Sequence, residues 1–180
     1  MANFWLLSLV LFTAYSCEID FGNGLSVKWN MIDRKIHIDL IVHPRIYEKY
    51  GWVGLGLKRY EDGYDMSHGD FYTIIFKKAI LEDKYAERNG APTLDTYLGG
   101  IDNIIDGPVA VKEENARVYG FRRLVETGDP YDTQLYYDHV YYWLWAYGTM
   151  TDDAINKHDD RGFTPFVFEP CGYEAPIDLI

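Results

Sequence analysis

Two segments far apart in the chain carry the side chains best suited to hold a transition metal. Met66 follows one apolar stretch, and His158 precedes another. A thioether and an imidazole that converge from distant loops can hold the iron of a haem from its two faces. Such a centre has no open coordination position. If the fold brings Met66 and His158 together, the sequence therefore predicts electron transfer rather than oxygen activation.

Neighbouring residues offer one alternative ligand and candidate walls for a flat cofactor. His68 lies two residues after Met66 and would share its side of an extended strand, so a His68–His158 pair is an alternative ligand set. Trp52 and Phe71, with alternate residues of the aromatic stretch 141–147, could pack against such a cofactor. These aromatic residues are equally suited to the core of a β-sandwich.

Two groups of aspartates raise the possibility of a hard cation, because calcium prefers oxygen ligands. The groups are Asp62, Asp65 and Asp70, and Asp152, Asp153, Asp159 and Asp160. Neither group has the spacing of an EF-hand loop. We interpret them as solvated loop charges and keep a calcium-dependent adhesive domain as the weaker alternative.

The overall charge and the absence of catalytic motifs exclude several function classes. The formal net charge is −11 at pH 7, which argues against a nucleic-acid partner, since phosphate backbones require a basic face. The sequence contains no nucleophile elbow, glycine-rich phosphate loop, zinc-ligand spacing or catalytic-triad pattern. We therefore predict a binding or electron-transfer domain rather than an enzyme in its own right.

The elements that must position these residues are predicted to be short β-strands. Aromatic residues make up 17% of the chain and favour pleated surfaces. Apolar and polar residues alternate, or apolar runs occur, over 25–31, 35–40, 51–57, 70–77, 79–85, 109–112, 116–124, 140–147 and 163–168. A long loop is predicted over 87–107 and a short helical turn over 152–157. This pattern predicts an all-β fold, an immunoglobulin-like antiparallel β-sandwich.

The first sixteen residues resemble a secretory signal peptide. Residues 4–12 are almost all apolar, and Ala14 and Ser16 provide small residues before a cleavage site. No later stretch reaches the length of a transmembrane helix. We expect a single domain over 17–180, secreted or delivered to a lumen, with no transmembrane segment in the mature chain.

The two cysteines lie near the two ends of this domain. Cys17 and Cys171 would form a disulfide in an oxidising compartment, which would close most of the chain into one loop. The alternatives are two separate thiols, or removal of Cys17 with the signal peptide.

Six segments follow the motif order of the DOMON domain, a module first described in dopamine β-monooxygenase. The segments are 52–57 (WVGLGL), 66–70 (MSHGD), 81–85 (LEDKY), 121–132 (FRRLVETGDPYD), 145–148 (WAYG) and 158–162 (HDDRG). The chain resembles this family over about 51–168. His68 departs from the family pattern, in which a small residue is usual near that position.

The resemblance implies a β-sandwich and, in members similar to the haem domain of cellobiose dehydrogenase, a b-type haem. By position, its axial ligands are Met66 and His158. The expected function is one-electron transfer to or from a separate redox partner protein, or within a larger assembly such as a homo-oligomer or filament. The alternative is a non-haem DOMON β-sandwich that binds carbohydrate or protein. Arg122 and Arg123 are expected to pair with Asp129 and Asp132 or with haem propionates.

Overall fold

The computed structural model describes residues 16–169 and 171. The predicted signal peptide, apart from Ser16, lies outside the described residues. The described part contains thirteen strands, two short helices and a single 3-10 turn. The strands are β1 (Cys17–Asp20), β2 (Leu25–Ile32), β3 (Lys35–Val42), β4 (Trp52–Arg59), β5 (Gly69–Ile75), β6 (Ile80–Ala86), β7 (Thr93–Leu94), β8 (Asp106–Lys112), β9 (Arg117–Leu124), β10 (Val140–Gly148), β11 (Met150–Thr151), β12 (Ala154–Ile155) and β13 (Asp160–Val167). The helices are α1 (Pro44–Tyr47) and α2 (Asp95–Leu98), and the turn is Tyr60–Asp62.

The strands form two large sheets. The five-stranded sheet has the order β1-β2-β3-β9-β8, and the six-stranded sheet has the order β13-β10-β4-β5-β6-β7. All strand pairs in both sheets are antiparallel. The predicted all-β, immunoglobulin-like antiparallel β-sandwich is confirmed. No helix within the described ranges is long and apolar enough to cross a membrane.

The main core lies between the two sheets. In β2 and β3 buried residues alternate with partly exposed ones, as expected for strands with one face on the core. The six-stranded sheet contributes Val53, Leu55, Tyr72, Ile74 and Trp143 to the same core. Burial of these apolar side chains is the main stabilising contribution to the sandwich.

The central strands of the six-stranded sheet are buried on both faces. Every residue of β5, and every residue of β4 except Arg59, is buried. The face turned away from the five-stranded sheet, here called the outer face, carries a second apolar cluster of Phe71, Ala86, Tyr142 and Leu144. The loop after β4 covers part of it, since the Tyr60 ring stacks on Tyr142 with 5.0 Å between centroids. The outer face is therefore the place where a ligand could meet an apolar surface outside the core.

The structure differs from the sequence prediction in several local elements. The predicted helical turn over 152–157 is wrong, because a small hairpin of β11 and β12 occupies this stretch. Asp152 has a φ of 55°, a left-handed conformation that closes a tight turn and does not continue a right-handed helix. The predicted loop over 87–107 contains β7 and α2, and β1 was not predicted.

A disulfide joins the two sheets. Cys17 in β1 is bonded to Cys171, which follows β13 in the chain, with a Cα–Cα distance of 5.3 Å. This separation is typical of disulfides. Of the possibilities left open by the sequence, the structure therefore has the disulfide.

Candidate functional site

Four residues selected from the sequence lie on the outer face of the six-stranded sheet. They are Trp52, Met66, Phe71 and His158. Gly56 of β4 pairs with Phe71 of β5, and a Cβ added at Gly56 would lie 2.6 Å from the Phe71 ring. Trp52 pairs with Gly148 of β10, and a Cβ at Gly148 would lie 2.9 Å from the indole nitrogen of Trp52 and 3.1 Å from the Cα of His158. Met66 packs against the outer apolar cluster.

Met66 marks an apolar end of this face. It lies in the loop between β4 and β5, where its backbone N–H donates to Asn89 Oδ1 over 3.0 Å and its carbonyl accepts from the N–H of Gly69 over 3.2 Å. Phe71 can lie flat on the sheet because Gly56 and Gly69 have no side chains. A Cβ at Gly69 would lie 2.7 Å from the Phe71 ring. The thioether of Met66 therefore belongs to an apolar, partly buried environment.

His158 and Trp52 mark a polar end of the same face. The residue after His158 is anchored, because the N–H of Asp159 donates to the carbonyl of Tyr147 over 2.9 Å. Burial and the nearby Arg161 guanidinium lower the pKa of His158 below its ordinary 6.5, which favours the neutral imidazole. Nε2 lies 3.3 Å from Arg161 Nη1 and accepts from it in the tautomer protonated at Nδ1. The buried indole N–H of Trp52 has no hydrogen-bond partner among the described residues.

The two ends are separated along β4. Trp52 and Gly56 are four residues apart, which is about 13 Å at a strand rise of about 3.3 Å. The structure thus brings Met66 together with Phe71, and His158 together with Trp52, and places the two pairs at opposite ends of this segment. Gly54 lies between them, and a Cβ there would approach the Trp52 ring to 3.3 Å.

The residue types present suit a haem, but Met66 and His158 do not converge on one point, because they lie at opposite ends of this segment of β4. The apolar end suits part of a flat macrocycle, although the Phe71 and Trp52 rings already cover the glycines of β4. The Trp52 N–H and the Arg161 guanidinium suit acidic groups such as propionates. A neutral imidazole and a thioether are both ligands for haem iron. The unpartnered indole N–H of Trp52 does not single out this site, because the indole N–H groups of Trp29 and Trp143 in the core also lack a partner among the described residues.

His68 is placed differently from the sequence expectation. Its φ of 57° ends a turn, so it does not share a strand face with Met66. Its Nδ1 lies 3.0 Å from the hydroxyl of Tyr85, and the ring is exposed. It borders a cavity of about 410 Å³ whose lining is Arg59, Asp62, His68, Tyr85, Asp129, Pro130, Tyr131, Asp132, Thr133, Gln134 and Tyr136.

The two arginines expected to pair with aspartates or with haem propionates both pair with aspartates. Arg122 forms an ion pair with Asp106 on the neighbouring strand β8. Arg123 is buried and donates to Asp70 Oδ2 over 2.6 Å, while Asp132 lies 4.0 Å away. The expected pairing with aspartates is therefore the one present. Asp132 was among the expected partners, whereas Asp70 and Asp106 were not.

Sequence reasoning missed a group of buried aspartates at one end of the sandwich. The sequence-based interpretation of Asp70 as a solvated loop charge is wrong. Asp70 lies in β5 with its side chain on the core side, and it is 0% exposed. Asp83, Asp95 and Asp132 are also buried. The alternation of Leu81, Asp83 and Tyr85 along β6 was the one available signal that Asp83 faces the core.

A scan against models of known protein families and a search of curated proteins found no match for this chain. Its chemistry is therefore inferred from the side chains described above. One end of the outer face offers a thioether in an apolar cluster, and the other end offers an imidazole, an indole N–H and a guanidinium.

Proposed function

We propose that this chain is a secreted b-type haem-binding domain of the DOMON kind that transfers single electrons. Met66 and His158 would hold its iron, which requires the loop that carries Met66 and the segment that carries His158 to approach each other, and Trp52 and Phe71 would be aromatic contacts of the cofactor. The observation that carries the proposal is the common position of these four residues on the outer face. The order of the six sequence motifs supports it independently.

Each residue has a distinct role in this proposal. Met66 and the surrounding apolar cluster exclude water from one end of the site. His158 would offer Nε2 to the iron after the Arg161 guanidinium moves away from it. Arg161 and the Trp52 N–H would then donate hydrogen bonds to acidic groups of the cofactor. The haem supplies reversible one-electron chemistry at its iron when bound. If both residues bound the iron, no position would remain for oxygen, and a separate redox partner or a neighbouring subunit would have to accept the electron.

The charge of the chain indicates the kind of partner. A formal net charge of −11 favours association with a protein that presents a basic surface, and this attraction weakens as salt increases. We therefore expect the rate of electron exchange with a basic partner to fall with ionic strength.

Absorbance spectroscopy of the exported protein tests the haem proposal. We expect a Soret band and, after dithionite, sharp α and β bands.

Variants of single residues test the proposed ligands. His158→Ala should lose the cofactor. His139→Ala should retain it, because His139 is an exposed histidine whose Nδ1 lies 3.0 Å from the Tyr137 carbonyl oxygen. Met66→His should retain haem, lose the sulfur-to-iron band near the red edge and lower the potential, because a second imidazole stabilises ferrous iron less than a thioether does. A colourless, folded protein obtained with ample haem supply would refute the proposal.

A non-haem module that binds carbohydrate is the second candidate, and the 410 Å³ cavity favours it. Tyr85 and Tyr131 meet edge to face at its wall, with centroids 5.3 Å apart, and Asp129 and Gln134 add polar groups. Aromatic faces beside hydrogen-bonding groups suit sugars. If this function holds, soluble oligosaccharides bind the colourless protein, Tyr136→Ala weakens binding at least tenfold, and Tyr97→Ala, at a tyrosine 79% exposed and outside the lining, leaves it unchanged.

A further inference from the structure

Three carboxylates from separate parts of the chain meet inside the sandwich. Asp70 lies in β5, Asp83 in β6, and Asp132 in the connection between β9 and β10. One ligand oxygen from each lies within 4.8 Å of the other two. The three residues are 0%, 3% and 8% exposed, respectively. We call them the aspartate cluster.

The positive charge near the aspartate cluster is insufficient and already committed. Arg123 is the arginine buried beside it, at 1% exposure. Its guanidinium donates to Asp70 Oδ2 and to the Tyr72 hydroxyl over 2.6 Å each, and to the carbonyls of Leu124 and Thr133 over 2.8 and 2.6 Å. It is hydrogen-bonded to Asp70 and lies 4.0 Å from Asp132 Oδ1, so a single positive charge faces three carboxylates.

The cluster also contains oxygens that no donor reaches, which is a separate observation from the proximity of the charges. Both oxygens of Asp132 lack a hydrogen-bond partner among the described residues, as do Asp70 Oδ1 and Asp83 Oδ1. The side chain of Asp132 is 0% exposed, so water does not solvate it from outside. Buried carboxylates are normally paired, hydrogen-bonded or bound to a metal.

The other oxygens of the cluster are anchored by the protein. Asp70 Oδ2 accepts from the N–H of Thr133 over 3.0 Å, and Asp83 Oδ2 accepts from the N–H of Asn103 over 2.9 Å. One oxygen of each of these carboxylates is thus held in place while the other stays free. This is the arrangement expected of preorganised ligands.

A fourth aspartate adds to the excess negative charge. Asp95 opens α2, is 0% exposed, and has no hydrogen-bond partner at either carboxylate oxygen. Its carboxyl group lies near the aspartate cluster, since Asp95 acts electrostatically on Asp83, and Asp70 and Asp132 act on Asp95.

We propose that the aspartate cluster binds a divalent hard cation, Ca²⁺, through Asp70, Asp83 and Asp132, with Asp95 contributing charge nearby. The residues of the cluster offer oxygen and neither nitrogen nor sulfur, which favours Ca²⁺ over Zn²⁺. Calcium accepts an irregular set of six to eight oxygens, whereas Mg²⁺ requires a near-octahedral set and retains its water. The bound cation would join β5 and β6 to the β9–β10 connection. It stabilises the fold whether or not haem binds on the outer face.

Thermal unfolding of the chelator-treated full chain, with and without 1 mM CaCl₂, tests the site. We expect Ca²⁺ to raise the midpoint by several degrees, and Tb³⁺ luminescence excited through the aromatic residues to saturate at one ion per chain and be displaced by Ca²⁺. Asp132→Asn keeps the shape of the side chain and removes one charge, so it should weaken Ca²⁺ binding at least tenfold. Without metal, the thermal unfolding midpoint of Asp132→Asn should be equal to or higher than that of wild type.

Controls separate a specific site from general charge screening. Asp138→Asn, at an exposed aspartate outside the cluster, should respond to Ca²⁺ as wild type does. If Asp132→Asn does not fold, Asp83→Asn and metal analysis of the wild-type chain provide the same test. Absence of any Ca²⁺ effect on wild type, or an equal effect on wild type and a folded cluster variant, would overturn the proposal. The readouts do not depend on haem, so this result is distinguishable from failure of the electron-transfer proposal.

Discussion

At the scale of single residues, a buried lysine positions the loop that carries Met66. Lys58 is 1% exposed, and its ammonium donates to Asp65 Oδ1 over 2.7 Å and to the Asp65 carbonyl over 3.1 Å. Asp65 Oδ1 also accepts from the N–H and hydroxyl of Ser67. The hydrogen bond from Lys58 holds the pKa of Asp65 well below its usual range. Met66 lies between two residues fixed by this network.

Removing Asp65 should destabilise the fold through Lys58. Asp65→Ala leaves a buried ammonium without its carboxylate, so we expect the free energy of unfolding to fall by about 2 kcal/mol. Adding Lys58→Met should recover most of this loss, since the unpaired charge is then gone. Urea denaturation measures both effects.

The exposed pair of Arg59 and Asp62, 2.8 Å apart, provides the matched control. Asp62→Ala should lower the free energy of unfolding by at most about 1 kcal/mol, because solvent screens this ion pair. If Asp65→Ala and Asp62→Ala lower the free energy of unfolding by the same amount, the burial of Lys58 has no energetic consequence.

At the scale of elements, the glycines of β4 determine what lies on the outer face. Glycine weakens a strand interior, so two of them in a central strand call for a structural reason. At Gly56 the reason is the Phe71 ring, which lies over both Gly56 and Gly69 and cannot move away from one without approaching the other. The absence of side chains here makes room for aromatic rings on the sheet.

Gly56→Ala should therefore overpack the outer face. The new methyl group would lie 2.6 Å from the Phe71 ring and 3.3 Å from the Cβ of Leu144, and we expect a loss of about 1–3 kcal/mol in the free energy of unfolding. Haem content should fall as well if the proposed site is correct. Gly90→Ala is the control, because a Cβ at Gly90 meets nothing within 4 Å. Wild-type stability of Gly56→Ala in a urea titration would contradict this account of the packing.

At the scale of the whole molecule, the disulfide and the aspartate cluster both tie separate parts of the sandwich together. Cys17 and Cys171 are 154 residues apart in sequence and connect the first strand of one sheet to the chain that follows the last strand of the other. The aspartate cluster joins two strands of the six-stranded sheet to the connection that leads from β9 to β10. The disulfide restricts the unfolded chain, and the proposed cation would compensate the buried carboxylates of the folded one.

Loss of the disulfide should lower the stability of the whole fold. Loop-closure entropy for 154 residues predicts a loss of about 5 kcal/mol in the free energy of unfolding on reduction. Cys17→Ser, Cys171→Ser and the double variant should be equally destabilised, because each removes the same crosslink. Identical urea midpoints for the oxidised and reduced protein would rule out this stabilising role.

Local patterns were sufficient to predict most strands, and the prediction failed at one segment whose composition suits two different local structures. The alternation in 35–40 predicts β3 correctly because one face of that strand packs on the core. The helical turn predicted over 152–157 failed because Asp152 adopts a left-handed conformation in a tight hairpin. Helix and hairpin turn share similar local composition there, rich in aspartate and asparagine.

The sequence by itself determined the all-β class, most strand positions and the candidate ligands Met66 and His158, because alternation and residue type are local properties. Only the tertiary structure decided that Met66 and His158 share one sheet face, that His68 turns to Tyr85, and that Asp70 is buried with Asp83 and Asp132. These outcomes depend on which strands are neighbours and on which loop covers them. Strand order follows from packing of the whole chain, so no single segment encodes it.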